Sequence, residues 1–327
     1  MALSSVAFLG LTFLAGSASA ASVDRAVSIQ VPGATLQATL SVPQSVFRPP
    51  VVLILAGSGP TDRDGNSPAG INTDAYKKLA AALNTAGFAV LRPDKRGIGA
   101  SLPTDRREEA LTFTDYVNDA SAWIRWLSTQ PSLGSIGVVG HSEGALVGLA
   151  AVLKTPVQAY VSLAGTGENI ADTLTRQLHA NPANPPALLT EADAAIQTLR
   201  SGKPVAKVSA ALMTLFRPSV QPYLMSWMKL EPAAMMAQLA VADPRVPTLI
   251  LQGDRDLQVT SDDARKLSAA QPSAQLALIP GMNHVLVDAP ADVAGNIATY
   301  NAPQQPLSAA LLSTLTSFLK RTLSPPQ

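Results

Sequence analysis

The chain has 327 residues, a formal net charge of +1 and no cysteine. A near-neutral balance without a Lys/Arg cluster leaves no electrostatic footprint for nucleic acid, and the missing cysteines exclude disulfides, thiolate metal sites and a cysteine nucleophile together. With three histidines in all, a histidine-based mechanism must use His141, His179 or His284, and no metal or other cofactor is called for.

Val6 to Gly16 is an apolar run broken only by Thr12, and Ala18-Ser19-Ala20 follows with the small residues a signal peptidase needs. The run is too short to span a bilayer, which takes roughly 20 apolar residues. Residues 1–20 are therefore expected to be a cleaved signal peptide, although no Lys or Arg precedes the apolar core. The alternative is a frayed apolar N-terminus. With cleavage, residues 21–327 form one domain that is exported, periplasmic or secreted. No later segment has the apolar length of a membrane span, and nothing in the sequence specifies the oligomeric state.

Val27 to Val31 and Thr35 to Val42 alternate around Pro32-Gly33, which predicts an antiparallel hairpin. Val51 to Leu55 is a continuous apolar run, as expected of a strand buried on both faces. A helix is expected over Thr73 to Ala86, stopped by Gly87. Phe88 to Leu91 reads as a strand leading into the loop Pro93-Asp94-Lys95-Arg96-Gly97. Thr114 to Gln130 reads as a helix with Trp123 and Trp126 on one face. Strands at Ile136 to Val139 and Val157 to Leu163 flank a helix from Glu143 to Lys154. Further on, strands at Pro247 to Leu251 and Gln275 to Ile279 enclose a helix near Ser261 to Ala270, and a last helix covers about Pro306 to Lys320. Strands alternating with helices predict an α/β fold, a mainly parallel sheet covered by helices on both faces.

The segment 166–243 interrupts this rhythm. It contains Asn181-Pro182-Ala183-Asn184-Pro185-Pro186, several amphipathic stretches, and five of the seven methionines (Met213, Met225, Met228, Met235, Met236). Methionine is adaptable and suits permissive apolar surfaces, so a helical lid insert is expected here. For any single methionine, ordinary packing is the simpler role.

Gly140-His141-Ser142-Glu143-Gly144 sits between a predicted strand and a predicted helix, the context that gives G-x-S-x-G its meaning. The serine occupies the apex of a strained turn, so small residues two before and two after it avoid clashes. The helix start behind it offers free N–H groups and a favourable dipole. Downstream, Gln252-Gly253-Asp254-Arg255-Asp256 and Gly281-Met282-Asn283-His284 leave two further strand ends, where α/β enzymes build their sites. The order Ser, Asp, His is that of α/β-hydrolases. Ser142 as nucleophile, His284 as base and a carboxylate as orienter form a triad. His141 is expected to pack in the elbow, and His179 lies in the insert. Asp254 and Asp256 both remain candidates on spacing alone.

These stretches resemble the α/β-hydrolase superfamily, and specifically its serine-aminopeptidase-like branch, which includes esterases and monoacylglycerol-lipase-like enzymes. Leu55-Ala56-Gly57-Ser58-Gly59-Pro60, Arg92 to Ser101, the elbow, and Gly253 to Val259 match that pattern in order, over about Val51 to Val287. The resemblance implies the α/β-hydrolase fold, Asp256 as the acid with Asp254 a turn-former, and an oxyanion hole from the backbone N–H groups of Glu143 and Ser58. Ala56 stands where the family often has histidine, which puts any histidine-assisted packing of that loop in doubt. The expected function is cleavage of a small-molecule carboxylic ester through an acyl-enzyme. The alternatives are an aminopeptidase or amidase on the same triad, or a non-catalytic ligand-binding protein on a hydrolase fold. Asp62-Arg63-Asp64-Gly65-Asn66 begins like a calcium loop, but Ser67 stands where glycine is needed and Thr73 where glutamate is needed, so it is expected to be loop architecture.

Overall fold

The computed structural model describes residues 22–242 and 245–323; the expected signal peptide lies outside them. A sheet of nine strands forms the centre. Strands β1 (Ser22–Val31) and β2 (Ala34–Pro43) make the hairpin expected around Pro32-Gly33. Then come β3 (Val51–Leu55), β4 (Ala89–Pro93), β5 (Leu102–Pro103), β6 (Ile136–His141), β7 (Ala159–Leu163), β8 (Thr248–Gly253) and β9 (Gln275–Ile279). The spatial order is β1-β2-β4-β3-β6-β7-β8-β9, with the two-residue β5 pairing antiparallel to β2. From β4 to β9 along this order every neighbouring pair is parallel.

Eleven helices are described: α1 (Ala75–Thr85), α2 (Phe113–Ser128), α3 (Glu143–Val152), α4 (Ile170–Ala180), α5 (Pro186–Arg200), α6 (Met213–Phe216), α7 (Gln221–Trp227), α8 (Pro232–Ala240), α9 (Ser261–Ala270), α10 (Val293–Ala298) and α11 (Ala309–Leu323). None is long and apolar enough to cross a membrane. Helices α2 and α9 begin with reciprocal capping pairs, Thr112 with Asp115 and Thr260 with Asp263, which satisfy N–H groups that a helix start leaves free. Helix α1 ends before Gly87, whose φ of 98° is open to glycine and strained for other residues.

The alternation of side chains along β3 divides the core in two. Val51, Leu53 and Leu55 join α2, α3 and α9 on one face, whereas Val52 and Ile54 join α1 and α11 on the other. Both faces being apolar explains the uninterrupted hydrophobic run. The chain winds from β3 outward to β4, then returns to place β6 on the other side of β3. Loops after β3 and β6 therefore diverge at their carboxyl ends, the crevice where such sheets place ligands.

The insert contributes α4 to α8. Helix α7 packs on α2, with Phe113 stacked on Trp227 at 5.4 Å between ring centroids. Asn169 caps α4 and its amide donates to the carbonyls of Met228 and Leu230. Met228 and Met236 are buried, Met225 and Met235 partly so, and Met213 is exposed.

Candidate active site

Ser142 links β6 to α3 with φ 55° and ψ −121°, a conformation that costs a non-glycine residue about 1–3 kcal/mol. Close packing enforces it. A Cβ on Gly140 would strike the Gly144 carbonyl, and one on Gly144 would strike the Leu55 carbonyl, so both flanking glycines are required by space. The Ser142 N–H is tied to Leu163 O at 2.9 Å on the neighbouring strand. The turn lifts the hydroxyl clear: among the described residues Ser142 Oγ has no hydrogen-bond partner.

Asp256 and His284 leave the parallel neighbours β8 and β9. The His284 Nδ1–H donates to Asp256 Oδ2 at 2.7 Å. Gln252 Nε2 donates to the same oxygen at 3.1 Å, while Oδ1 accepts the N–H groups of Gln258 and Val259 at 2.8 and 3.0 Å. Burial alone would raise this carboxyl, but the His284 charge and hydrogen bond and the two backbone donors outweigh it and hold it below the usual range. It is an ionised acceptor. Asp254 sits elsewhere: its exposed carboxylate accepts the Gly281 N–H at 2.7 Å, closing the turn after β9. His179 is on α4, against Asp193, away from this cluster.

The His284 loop is anchored by its neighbour Asn283, fully buried, whose amide donates to Asn296 and Thr299. His284 Nε2 has no partner among the described residues. Ser142 and His284 are not hydrogen-bonded to each other in this structure.

His141 does more than fill the elbow. Its Nε2 lies 2.9 Å from the His284 carbonyl oxygen and its Nδ1 2.8 Å from the Tyr76 hydroxyl. A carbonyl only accepts, so Nε2 carries the proton and Nδ1 accepts from Tyr76 O–H. Tyr76 in turn accepts the Gly57 N–H at 3.0 Å. Burial first, and then the charge of a protonated His284, pull His141 down to about 3, so it is neutral. One chain of donors therefore connects the loop after β3, the elbow and the His284 backbone. Tyr76, at the base of this chain, takes over the loop support that Ala56 cannot give. Its position on α1 reads as ordinary core in sequence.

Gly57 lies close against Ser142: a Cβ there would come within 3.2 Å of Ser142 Cβ. Among the described residues no acceptor meets the Ser58 N–H. The Glu143 N–H, at the first position of α3, has no partner within its helix. Ser58 follows β3 and Glu143 opens α3, so the two N–H groups belong to separate loops.

Residues 70–290 match the family described as serine aminopeptidase, S33. The chain belongs to that family. A search of curated proteins found no match. Solved structures share the fold of this S33 member at low identity. Est1E from Butyrivibrio proteoclasticus with ferulic acid bound is 18% identical, with a TM-score of 0.57 over 90% of this chain and 98% of that one. The Pyrococcus furiosus esterase Pf2001 is 17% identical, with 0.58 over 93% and 92%. The α/β-hydrolase GrgF from Penicillium sp. sh18 is 20% identical, with 0.59 over 92% and 99%. The α/β-hydrolase architecture expected from the motifs is thereby shown.

Next to Glu143 the S33 chain opens a cavity of about 660 Å³, whose lining does not include Ser58, Ser142 or His284. Gly59, Lys95, Glu143, Ile98 and Leu111 line it, with Arg217, Val220 and Tyr223 from the insert. None of the insert's methionines lines it. Lys95 Nζ donates to the carbonyls of Gly57 and Gly59 and lies 3.6 Å from Glu143 Oε1. Sequence reading gave Lys95 no role, because a lysine in a charged loop ordinarily reads as solvated. Asp62, from the calcium-like stretch, accepts the N–H groups of Asp64 and Asn66, and Asp64 pairs with Arg92; these carboxylates hold the loop.

Proposed function

We propose that this chain is an exported serine esterase that cleaves small-molecule carboxylic esters through an acyl-enzyme, with Ser142, His284 and Asp256 as its triad. The observation that carries the reading is the 2.7 Å contact between His284 Nδ1 and an ionised Asp256, with Nε2 left free to receive a proton. In this mechanism Ser142 Oγ attacks the ester carbonyl carbon as its proton passes to His284 Nε2. The carbonyl π electrons move onto oxygen, where the N–H groups of Ser58 and Glu143 stabilise the negative charge. The imidazolium, held by Asp256, then protonates the departing alkoxide. Water repeats the sequence on the acyl-enzyme, giving the acid and restoring Ser142.

A cavity of about 660 Å³ adjoins the site at Glu143 and is of the size that takes small organic molecules, so an ester reaching from it to Ser142 would be of modest size; residues 166–243, which supply part of its wall, are read as the lid. Amide cleavage on the same triad is the second reading, consistent with the family's description. The Glu143 carboxylate already faces the Lys95 ammonium, so it makes a poor seat for a free N-terminus. Rates for p-nitrophenyl acetate, butyrate and octanoate beside aminoacyl p-nitroanilides test the choice. Turnover of the esters with kcat/KM at least tenfold above the anilides is expected; anilides turned over faster than every ester would reverse the assignment.

A further inference from the structure

The Lys95 side chain is 11% exposed and that of Glu143 is 2% exposed, and Lys95 joins the loop after β3 to the residue that follows Ser142. Among the described residues Glu143 Oε1 and the Tyr223 hydroxyl are both buried without a hydrogen-bond partner. A carboxylate one residue after the nucleophile would oppose the negative charge developing on substrate, since desolvation strengthens such repulsion. The ammonium 3.6 Å away offsets it. The same ammonium donates to Gly57 O and to Gly59 O at 2.8 Å, and stands 5.4 Å from the centre of the Tyr116 ring.

The Gly57 contact has a directional consequence. Gly57 C=O and Ser58 N–H belong to one planar trans peptide and point in opposite directions. Tying the carbonyl to Lys95 therefore aims the Ser58 N–H away from the lysine, and Thr61 Oγ1 fixes the next carbonyl, Ser58 O, at 2.8 Å. We propose that Lys95 is a positioning residue of the oxyanion hole: it aims the Ser58 N–H through the Gly57 carbonyl and neutralises Glu143 beside the forming charge. This rests on the esterase reading of Ser142.

The test compares wild type, Lys95→Met, Lys95→Arg and Lys95→Met/Glu143→Gln on one p-nitrophenyl ester, together with inhibition by an alkyl trifluoromethyl ketone, which forms a hemiketal oxyanion on serine. Lys95→Met should lose about 10²-fold in kcat, the scale of one oxyanion donor, with KM changed by less than about threefold. Affinity for the ketone should fall in parallel. Lys95→Arg should recover part of kcat, and the double variant should exceed Lys95→Met by about tenfold, because the orphaned carboxylate is gone. A loss that falls on KM, unchanged ketone affinity, or a double variant no better than Lys95→Met would overturn the proposal. Should Lys95→Met fail to fold, Lys95→Arg decides by the same split between kcat and KM. A wild-type protein that hydrolyses no ester would instead remove the esterase reading, and the ketone affinities of the same four proteins would then decide the role of Lys95, equal affinities overturning it.

Discussion

His141 makes a quantitative prediction about acid stability. In the folded protein its two ring nitrogens are committed, one donating to the His284 carbonyl and one accepting from Tyr76. A second proton has no acceptor to meet, and burial opposes the charge, which is why the folded value lies at about 3 against 6.5 for the free side chain. The unfolded chain therefore takes up a proton below 6.5 that the folded chain refuses until about 3. Stability from this group is complete above 6.5 and is lost as pH falls from 6.5 towards 3. Between about pH 7.5 and about pH 5 the loss from this residue alone is about 2 kcal/mol. Gln at 141 can donate and accept at similar positions without titrating. Urea unfolding of wild type and His141→Gln at both pH values isolates the effect, since every other titrating group is shared. Wild type should lose about 2 kcal/mol more than the variant over this interval. Equal losses would show that the folded protein protonates His141 as readily as the unfolded chain does, and the donor chain through Tyr76 would be wrong.

The two carboxylates after β8 separate cleanly. In Asp256→Asn, the N–H groups of Gln258 and Val259 claim the amide oxygen, so its NH₂ faces His284 and imposes the wrong tautomer; kcat should fall roughly 10⁴-fold. Asp254→Asn keeps an oxygen for the Gly281 N–H, and its kcat should change by less than about threefold. Side-by-side kcat measurements check both, and a crippled Asp254→Asn would misplace the acid by two residues. Export with cleavage after Ala20 predicts Ala21 as the first residue of the secreted protein by N-terminal sequencing; a chain starting at Met1 in that fraction would refute this route.

What could be read from the sequence is what local patterns encode. The apolar run at Val51 to Leu55 announced a strand covered on both faces, and the glycines around Ser142 announced a turn with no room for side chains. The stretch Gln275 to Ile279 coincides with β9 and Ser261 to Ala270 with α9. Strand β5, two residues long, carries no periodicity to detect. Tyr76, Lys95 and Asn283 were missed for another reason. Each acts through partners distant in sequence: Tyr76 meets His141 65 residues away and Lys95 meets Gly57 38 residues away. No spacing rule connects such pairs before the sheet brings its strand ends together. The methionines of the insert suggested an apolar ligand surface, yet the cavity takes Arg217, Val220 and Tyr223 from that segment. Amphipathic pattern shows that a face is covered, but not which residues turn towards a ligand.

The central claim is that Ser142 is an activated nucleophile. A fluorophosphonate probe tests it directly, because a serine that attacks an ester carbonyl also attacks phosphorus and expels fluoride. Wild-type protein should take up one equivalent of probe at Ser142, located by peptide mass analysis, and lose ester hydrolysis in step with labelling. Ser142→Ala should neither label nor hydrolyse ester. Labelling at another residue, or undiminished turnover by Ser142→Ala, would contradict the account.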